Sequence, residues 1–496
     1  MFQVTDLGPI ILRWCIASEA HVNSILPHPS RFPDLMDTDG VAQISNHRHW
    51  HILVAVCMIM WGVYFVYDVP GSLSVALQEH LSLPASQYTY LVSALYTAYA
   101  VPNMILPFFS GFLVQRIGEK LALLTTLQAV LVGQLIFSVS LQLRSQLGMI
   151  IGRVFIGLGG EIIGVLGTEI TTRWFKEKQL SLALAITLSV SRLGSVAKSA
   201  IIPVLIEDFG IVRAVWIGSI LSLGIAVVGA IYLLGVRGGT LVHHESEDGG
   251  TTSPIRQFPS VFWKLALICV LGYGGINTFP ISAQRFLAAW FYDGDQRKAG
   301  AVTGIPYFLS GALVPVFGLF FNENSFQSYP PSLCATNILM GVAHLLLLVT
   351  KKPTLPLTML GIAYALYGVA FWAALAQCLL STVESISAKE NMSHSWERSM
   401  NESEYGSIQP PEPPGGFPDD PEEHELCGTS AESVITVGYG IMTSLNNLSS
   451  AVIPILLAKV ENVMGFTGLE VVFFILSLLG LLASLELFLS VRVSHH

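Results

Sequence analysis

Charge is scarce in this sequence. Lys, Arg, Asp and Glu make up 12% of its 496 residues, about half the ~25% of a soluble domain. With 52% of residues hydrophobic, that excludes an ordinary soluble chain and points to an integral membrane protein held in a lipid bilayer. The net charge of −9 sits largely in one acidic stretch, and no nucleic-acid partner is expected. Cysteine is sparse too: Cys15, Cys57, Cys269, Cys334, Cys378 and Cys427 show neither zinc-ligand spacing nor a disulfide framework. No metal or other cofactor is expected. A G-x-x-x-x-G-K-[ST] phosphate loop is absent, so ATP-driven pumping has no support. No catalytic constellation stands out, and the chain does not read as an enzyme. The first 50 residues are polar and mixed, and the first long apolar run is a full span, so no cleavable signal peptide is expected.

What is present is a series of long apolar runs. About 20 apolar residues cross the hydrocarbon core as a helix. Twelve stretches qualify: 51–77, 87–114, 119–141, 147–172, 179–205, 212–235, 261–289, 299–321, 332–350, 355–381, 432–457 and 468–491. The fold class expected is an all-α membrane protein of twelve transmembrane helices in two six-helix bundles. Residues 1–50 read as a cytosolic N-terminal region and 51–235 as the first bundle. The Gly/Ser/charge-rich stretch 236–260 reads as a cytosolic connector, and 261–491 as the second bundle. Within the latter, 382–431 contains "QPPEPPGGFPDDPEEHE", a composition that predicts a disordered cytosolic loop. Short-loop basic residues set the orientation. In the first half, Arg116, Lys120, Arg173, Lys176 and Lys178 on one face outnumber Arg144 and Arg213 on the other. In the second half Arg297, Lys298, Lys351 and Lys352 fall on the far side and give no clear vote, so the orientation is taken from the first half. That predicts both termini in the cytosol.

The two halves echo each other. "GFLVQRIGEK" (111–120) follows the second span and "GLFFNENS" (318–325) the eighth; "GLGGE" (157–161) and "GVAFW" (368–372) lie near the middle of the fourth and tenth. Two parallel six-span repeats are a transporter architecture with substrate between the halves at the midplane.

The ionisable residues inside these runs are the functional candidates, because charge at membrane depth costs at least ~2.5 kcal/mol on insertion scales. Glu161 lies 15 residues before Lys176 and Arg192 lies 16 after it. At 1.5 Å per residue both sit about 22–24 Å from the turn, and so at the same depth, where they can face one another. A carboxylate and a guanidinium complement a zwitterion with an ammonium at one end and a carboxylate at the other. The alternative is a permanent structural salt bridge between the two. Asp68, with Tyr64 and Tyr67, reads as an entrance or gate, or as a helix-terminal feature before Pro70. Trp372 reads as an apolar wall or cation face, and Asn446 and Asn447 as polar contacts at depth. Lys198 is expected to line a water-filled vestibule, and His344 to serve packing more than proton relay.

On the loop motif Gly111, Leu113, Gln115, Arg116, Gly118, Lys120 and the span-four pattern Arg153, Gly157, Gly159, the sequence resembles the major facilitator superfamily over nearly all of 50–491. The family's loop aspartate is replaced by Gln115, and the matching position of the second half is Asn322. The resemblance implies that Gln115, Arg116 and Asn322 take part in conformational gating, through a weaker or differently built latch. "YFVYDVPGSL", "GRVFIGLGGE", "RWFKEKQLSLA", "SVSRLGS" and "PVFGL" resemble more closely the animal branch of the family that moves dipeptides across the lysosomal membrane. That likeness implies substrate binding by Glu161, Arg192 and Trp372 and facilitated export of dipeptides from the lysosome (or vacuole) by alternating access. It also implies a heavily glycosylated single-span accessory subunit as partner. The span-one E-x-x-E-R/K pattern of proton-coupled peptide carriers is absent, which favours uniport. Tyr405 to Ile408 forms a Y-x-x-hydrophobic signal for sorting adaptors, and Asp6, Ile10 and Ile11 a weaker acidic di-leucine one. The sequons at Asn391, Asn401 and Asn447 fall in the cytosolic loop or inside a span, out of reach of glycosylation. Transport of another small solute, a sugar or organic anion, and a non-transporting sensor are the competing readings.

Overall fold

Hydrocarbon offers backbone amides no water to bond, so a chain this apolar must satisfy them within helices or a closed barrel. The computed structural model describes residues 48–106, 117–175, 177–235, 258–321, 326–404 and 421–493, and these are almost entirely helical. The helices are α1 (Arg48–His80), α2 (Ala85–Asn103), α3 (Glu119–Gln142), α4 (Gln146–Trp174), α5 (Glu177–Phe209), α6 (Ile211–Gly235), α7 (Ser260–Phe291), α8 (Gln296–Thr303), α9 (Ile305–Phe320), α10 (Tyr329–Val349), α11 (Thr354–Glu404) and α12 (Pro421–Val493). Ten helical runs among the described residues are long and apolar enough to cross a membrane. The last of them, Val437–Arg492, would be roughly 80 Å long at 1.5 Å per residue, too long for one crossing. It turns at Gly465, whose φ of 64° suits glycine, and so supplies two. The architecture is an all-α membrane fold.

The apolar cores are local. One cluster draws its buried members from 258–491, centred on Phe262, Phe286, Tyr367 and Phe473. Two others draw theirs from the first half. Residues His49–His496 nevertheless form one unit, because α2 packs on α12 and α5 packs on α8 and α9.

Proline shapes the helices. Pro70, Pro203, Pro280, Pro315 and Pro454 lie inside α1, α5, α7, α9 and α12. Each lacks the N–H that would bond the carbonyl four residues back. In α1 the carbonyl left free by Pro70 is that of Val66. Arg153 of α4 donates Nη1 to it at 3.4 Å and Nε to Leu95 O of α2 at 3.1 Å. The arginine is 1% exposed, and its guanidinium lies 5.1–5.7 Å from the ring centres of Tyr67, Tyr96 and Tyr99. In α9 the carbonyl left free by Pro315 is that of Gly311, and it lies 2.6 Å from Ser189 Oγ of α5, whose single proton it shares with Ala185 O at 2.8 Å. Further along α1, Ser74 takes φ 43° and breaks the helix.

The halves are sewn together on the face opposite the start of α1 and the end of α12. Three hydroxyls four residues apart along α2 make one seam with α12. Thr97 donates to Ala451 O at 2.7 Å, Ser93 to Pro454 O at 2.9 Å, and Thr89 to Asn462 Oδ1 at 3.0 Å. Beyond them Arg285 of α7 donates Nη2 to Glu461 at 2.7 Å while its guanidinium covers Tyr88 of α2 at 5.0 Å. Gln284 donates to Ser72 O at 3.3 Å, and Arg297 pairs with Glu207 at 3.6 Å.

At both edges of the segment 382–431, expected as a disordered loop, the chain is helical. α11 continues through Glu404 and α12 begins at Pro421. Residues 387–404 read "SAKENMSHSWERSMNESE", free of proline and with glycine absent, so helix already formed in the span can propagate into them. Proline crowds instead into 405–420, which lies outside the described residues, as do 1–47 and 236–257.

If Arg153 serves as the missing amide of Pro70, Arg153→Met should lower stability by roughly 1–3 kcal/mol, the cost of an unsatisfied buried acceptor. Adding Pro70→Ala restores an N–H to Val66 O and should recover part of that loss. Thermal unfolding of both variants in detergent tests this; a double variant no more stable than Arg153→Met alone contradicts it.

Candidate functional site

The site grows from the midpoints of α4 and α5. Both helices must pack closely while carrying charge, and glycine makes the room. A Cβ on Gly157 would collide with the Tyr99 backbone, and one on Gly160 would lie 2.6 Å from Tyr99 Oη. That close packing sets Glu161 beside the aromatic faces of α1 and α2, and its carboxylate lies within electrostatic range of Tyr64, Tyr67 and Tyr99.

Arg192 points the other way. It leaves α5 and crosses to the second half, where Nη1 donates to Ser310 Oγ of α9 at 2.6 Å. A Cβ on Gly368 of α11 would stand 3.8 Å from Nη2. Tyr64, Tyr273 and Tyr307 lie within its electrostatic range. Its Nε is buried and has no hydrogen-bond partner.

Glu161 and Arg192 are therefore not ion-paired; the pairs among the described residues lie elsewhere. Both charges lie within electrostatic range of Tyr64. This answers the alternative of a permanent bridge: the groups stand apart, each with capacity to spare.

The second half supplies an aromatic wall. Trp372 is partly buried, near-parallel to Tyr439 with ring centres 6.2 Å apart, edge-on to Phe371 at 5.2 Å, and 6.2 Å from Tyr273. One turn along α7 from Tyr273, Asn277 donates to Asn446 Oδ1 at 2.9 Å and Ser450 Oγ at 3.0 Å. Asn446 thus joins a polar cluster on α7 and α12. Asn447 does not: it is 4% exposed and donates to Thr443 O of its own helix at 3.0 Å.

Other expectations are redrawn. Asp68 is 3% exposed, a buried acid with Arg153 and Lys198 within electrostatic range. Lys198 is 1% exposed and rests its ammonium 5.7 Å from the Tyr307 ring; it lines no open vestibule. Tyr67 packs edge-on to Tyr96 at 5.8 Å and tilted on Tyr99 at 4.5 Å, beneath Arg153. Gln115, Arg116 and Asn322 lie outside the described residues. Tyr273, Asn277, Tyr307, Ser310 and Tyr439 were not legible as site residues. For Tyr273 and Asn277 the available signal was an i, i+4 polar pair in an apolar helix.

No cluster of three or more His, Cys, Asp or Glu side chains among the described residues could hold a metal ion. Chemically the arrangement offers a carboxylate outside the ion pairs found among the described residues and a guanidinium with a donor to spare, with Tyr64 within electrostatic range of both. It can hold a dipolar solute at both ends.

Comparison with known proteins gives the frame for this geometry. The chain is similar to the human protein named lysosomal dipeptide transporter MFSD1, with 26% identity over 477 residues, 93% of this chain and 89% of that one. The mouse protein of that name is 27% identical over 458 residues, covering 88% and 85%. The zebrafish (Danio rerio) protein is 26% identical over 462, covering 90% and 88%. The profile of the Major Facilitator Superfamily matches residues 52–395. With helices of membrane-crossing length along the same stretch and a charged site between its halves, this chain belongs to the Major Facilitator Superfamily of transporters.

Proposed function

We propose that the protein carries dipeptides from the lumen of the lysosome or vacuole to the cytosol, as a uniporter working by alternating access. The observation that carries this reading is the unpaired Glu161 opposite an Arg192 whose Nε has no partner. Glu161 receives the peptide ammonium. Arg192, steadied by Ser310, grips the carboxylate with the atoms Ser310 leaves free. These contacts address the termini common to all dipeptides, while Trp372, Tyr439 and Tyr273 form a surface tolerant of different side chains. Similarity to the lysosomal dipeptide transporters supports the substrate class and the compartment.

Alternating access then requires the α2–α12 and α5–α9 seams to part, with Gln115, Arg116 and Asn322 acting on the opposite face. Asp68 and Lys198 belong to the closed side. A glycosylated single-span subunit covers lumenal loops that have no usable sequon, and adaptors read Tyr405–Ile408.

Arg192→Ala should abolish dipeptide uptake into vesicles while the protein still reaches its membrane. Arg192→Lys should also be poor, because an ammonium lacks the planar fork. Normal uptake by the alanine variant would remove Arg192 from the site.

Glu161→Gln keeps the shape of the side chain and loses its charge. A charge-assisted hydrogen bond is worth roughly 1.5–3 kcal/mol, or about 10- to 150-fold in affinity. The variant should lose that factor for a free dipeptide and far less for an N-acetylated one. Equal losses for both ligands would show that the carboxylate does not meet the ammonium.

With both termini in the cytosol, protease added to sealed lysosomes should cut the Pro-rich 405–420 segment. Its protection there, with cleavage only after permeabilisation, would invert the topology.

A further inference from the structure

A second set of ionisable groups lies inside the second half, apart from the substrate residues. His344 of α10 and Glu470 of α12 meet at 2.7 Å, Nδ1 to Oε2, with side chains 3% and 2% exposed. Aromatic rings enclose the imidazole: Phe473 is stacked on it at 5.0 Å and Phe279 of α7 stands edge-on at 5.3 Å. From α11 comes Tyr364, whose hydroxyl is buried without a hydrogen-bond partner and lies within electrostatic range of Glu470. Among the described residues, His344 and Tyr364 are the titratable neighbours of Glu470. α7 contributes only the phenylalanine.

We propose that His344 and Glu470 form a buried proton-binding site that holds one proton between them and ties the packing of α10, α11 and α12 to pH. The argument rests on net charge. With one proton the pair is neutral as a whole, whether written as imidazolium with carboxylate or as imidazole with carboxylic acid. Removing that proton leaves a net negative charge among phenylalanines; adding a second leaves a net positive one. Either change buries an uncompensated charge, which a low-dielectric interior penalises heavily. The fit of the three helices is therefore best when one proton is bound and loosens on both sides.

The position makes this consequential. His344 is five residues from the end of α10 at Val349, and Glu470 five residues past the turn at Gly465. Both lie within two turns of the face opposite the termini, which the topology proposed above assigns to the lumen; the physiological meaning rests on that reading. Tyr364 stands two turns along α11 from Trp372. A proton arriving from that face thus reaches helices that carry the aromatic wall, without passing through Glu161 or Arg192.

The test is the melting temperature of purified full-length protein between about pH 5 and about pH 9, a range that brackets ordinary histidine titration. Glu470→Gln removes the group that becomes an unpaired anion, and should flatten the alkaline limb relative to wild type. His344→Gln removes the group that becomes an unpaired cation, and should flatten the acid limb. Replacing both by apolar residues, His344→Phe with Glu470→Leu, leaves no lone charge behind; such exchanges are often tolerated. This double variant should lose both contributions, and it carries the test if a single variant fails to fold. Curves for the double variant parallel to wild type at every pH overturn the proposal. The readout uses neither peptide nor sealed membrane, so its failure is separate from any failure of the dipeptide reading.

Discussion

The whole architecture answers to one constraint: in hydrocarbon, a backbone carbonyl deprived of its helical partner must find another donor. Prolines inside the helices create such carbonyls by removing an N–H. At two of them the replacement donor is visible and comes from a different helix. Arg153 of α4 takes Val66 O of α1, and Ser189 of α5 takes Gly311 O of α9. What proline takes from one helix becomes a bond between two. The first ties α1, α2 and α4 within the first half. The second joins the halves at the level where Arg192 and Ser310 also meet.

The site inherits its geometry from these ties. With α4 clamped by Arg153, Glu161 is fixed against the tyrosines of α1 and α2. With α5 stitched to α9, Arg192 is drawn across to the second half. The opposite charges at one depth are thus held on different walls and do not collapse on each other. Collapse would be favourable in a low-dielectric space. It is opposed by where the helices hold the two side chains and by a hydroxyl already bonded to the guanidinium.

Much of this was legible in the sequence, and the limits are physical. Span number follows from hydrophobic length, which is a local property. The equal depth of Glu161 and Arg192 follows from helical rise. Which way each side chain turns depends on neighbouring helices, so the sequence could not tell a bridge from two separated charges. The same limit hid Lys198 behind Tyr307 and left open which of Asn446 and Asn447 bonds to α7; it is Asn446. His344 read as packing because its partner Glu470 lies 126 residues away and nothing local links them. The disorder expected for 382–431 failed at its edges, where composition averaged over the segment concealed proline-free ends that extend the flanking helices.

The bond from Ser189 to Gly311 has a consequence for how the halves separate. While it holds, the Gly311 carbonyl is satisfied without solvent. Once α5 and α9 part, Pro315 still offers no amide, so the carbonyl has only water to turn to. Separation along this seam is therefore a wetting event: water must enter as the helices leave, and a dry intermediate would strand a bare acceptor. The energetics of opening depend on water activity as well as on protein contacts, and proline, usually regarded as a hinge, acts here by deciding where water is admitted.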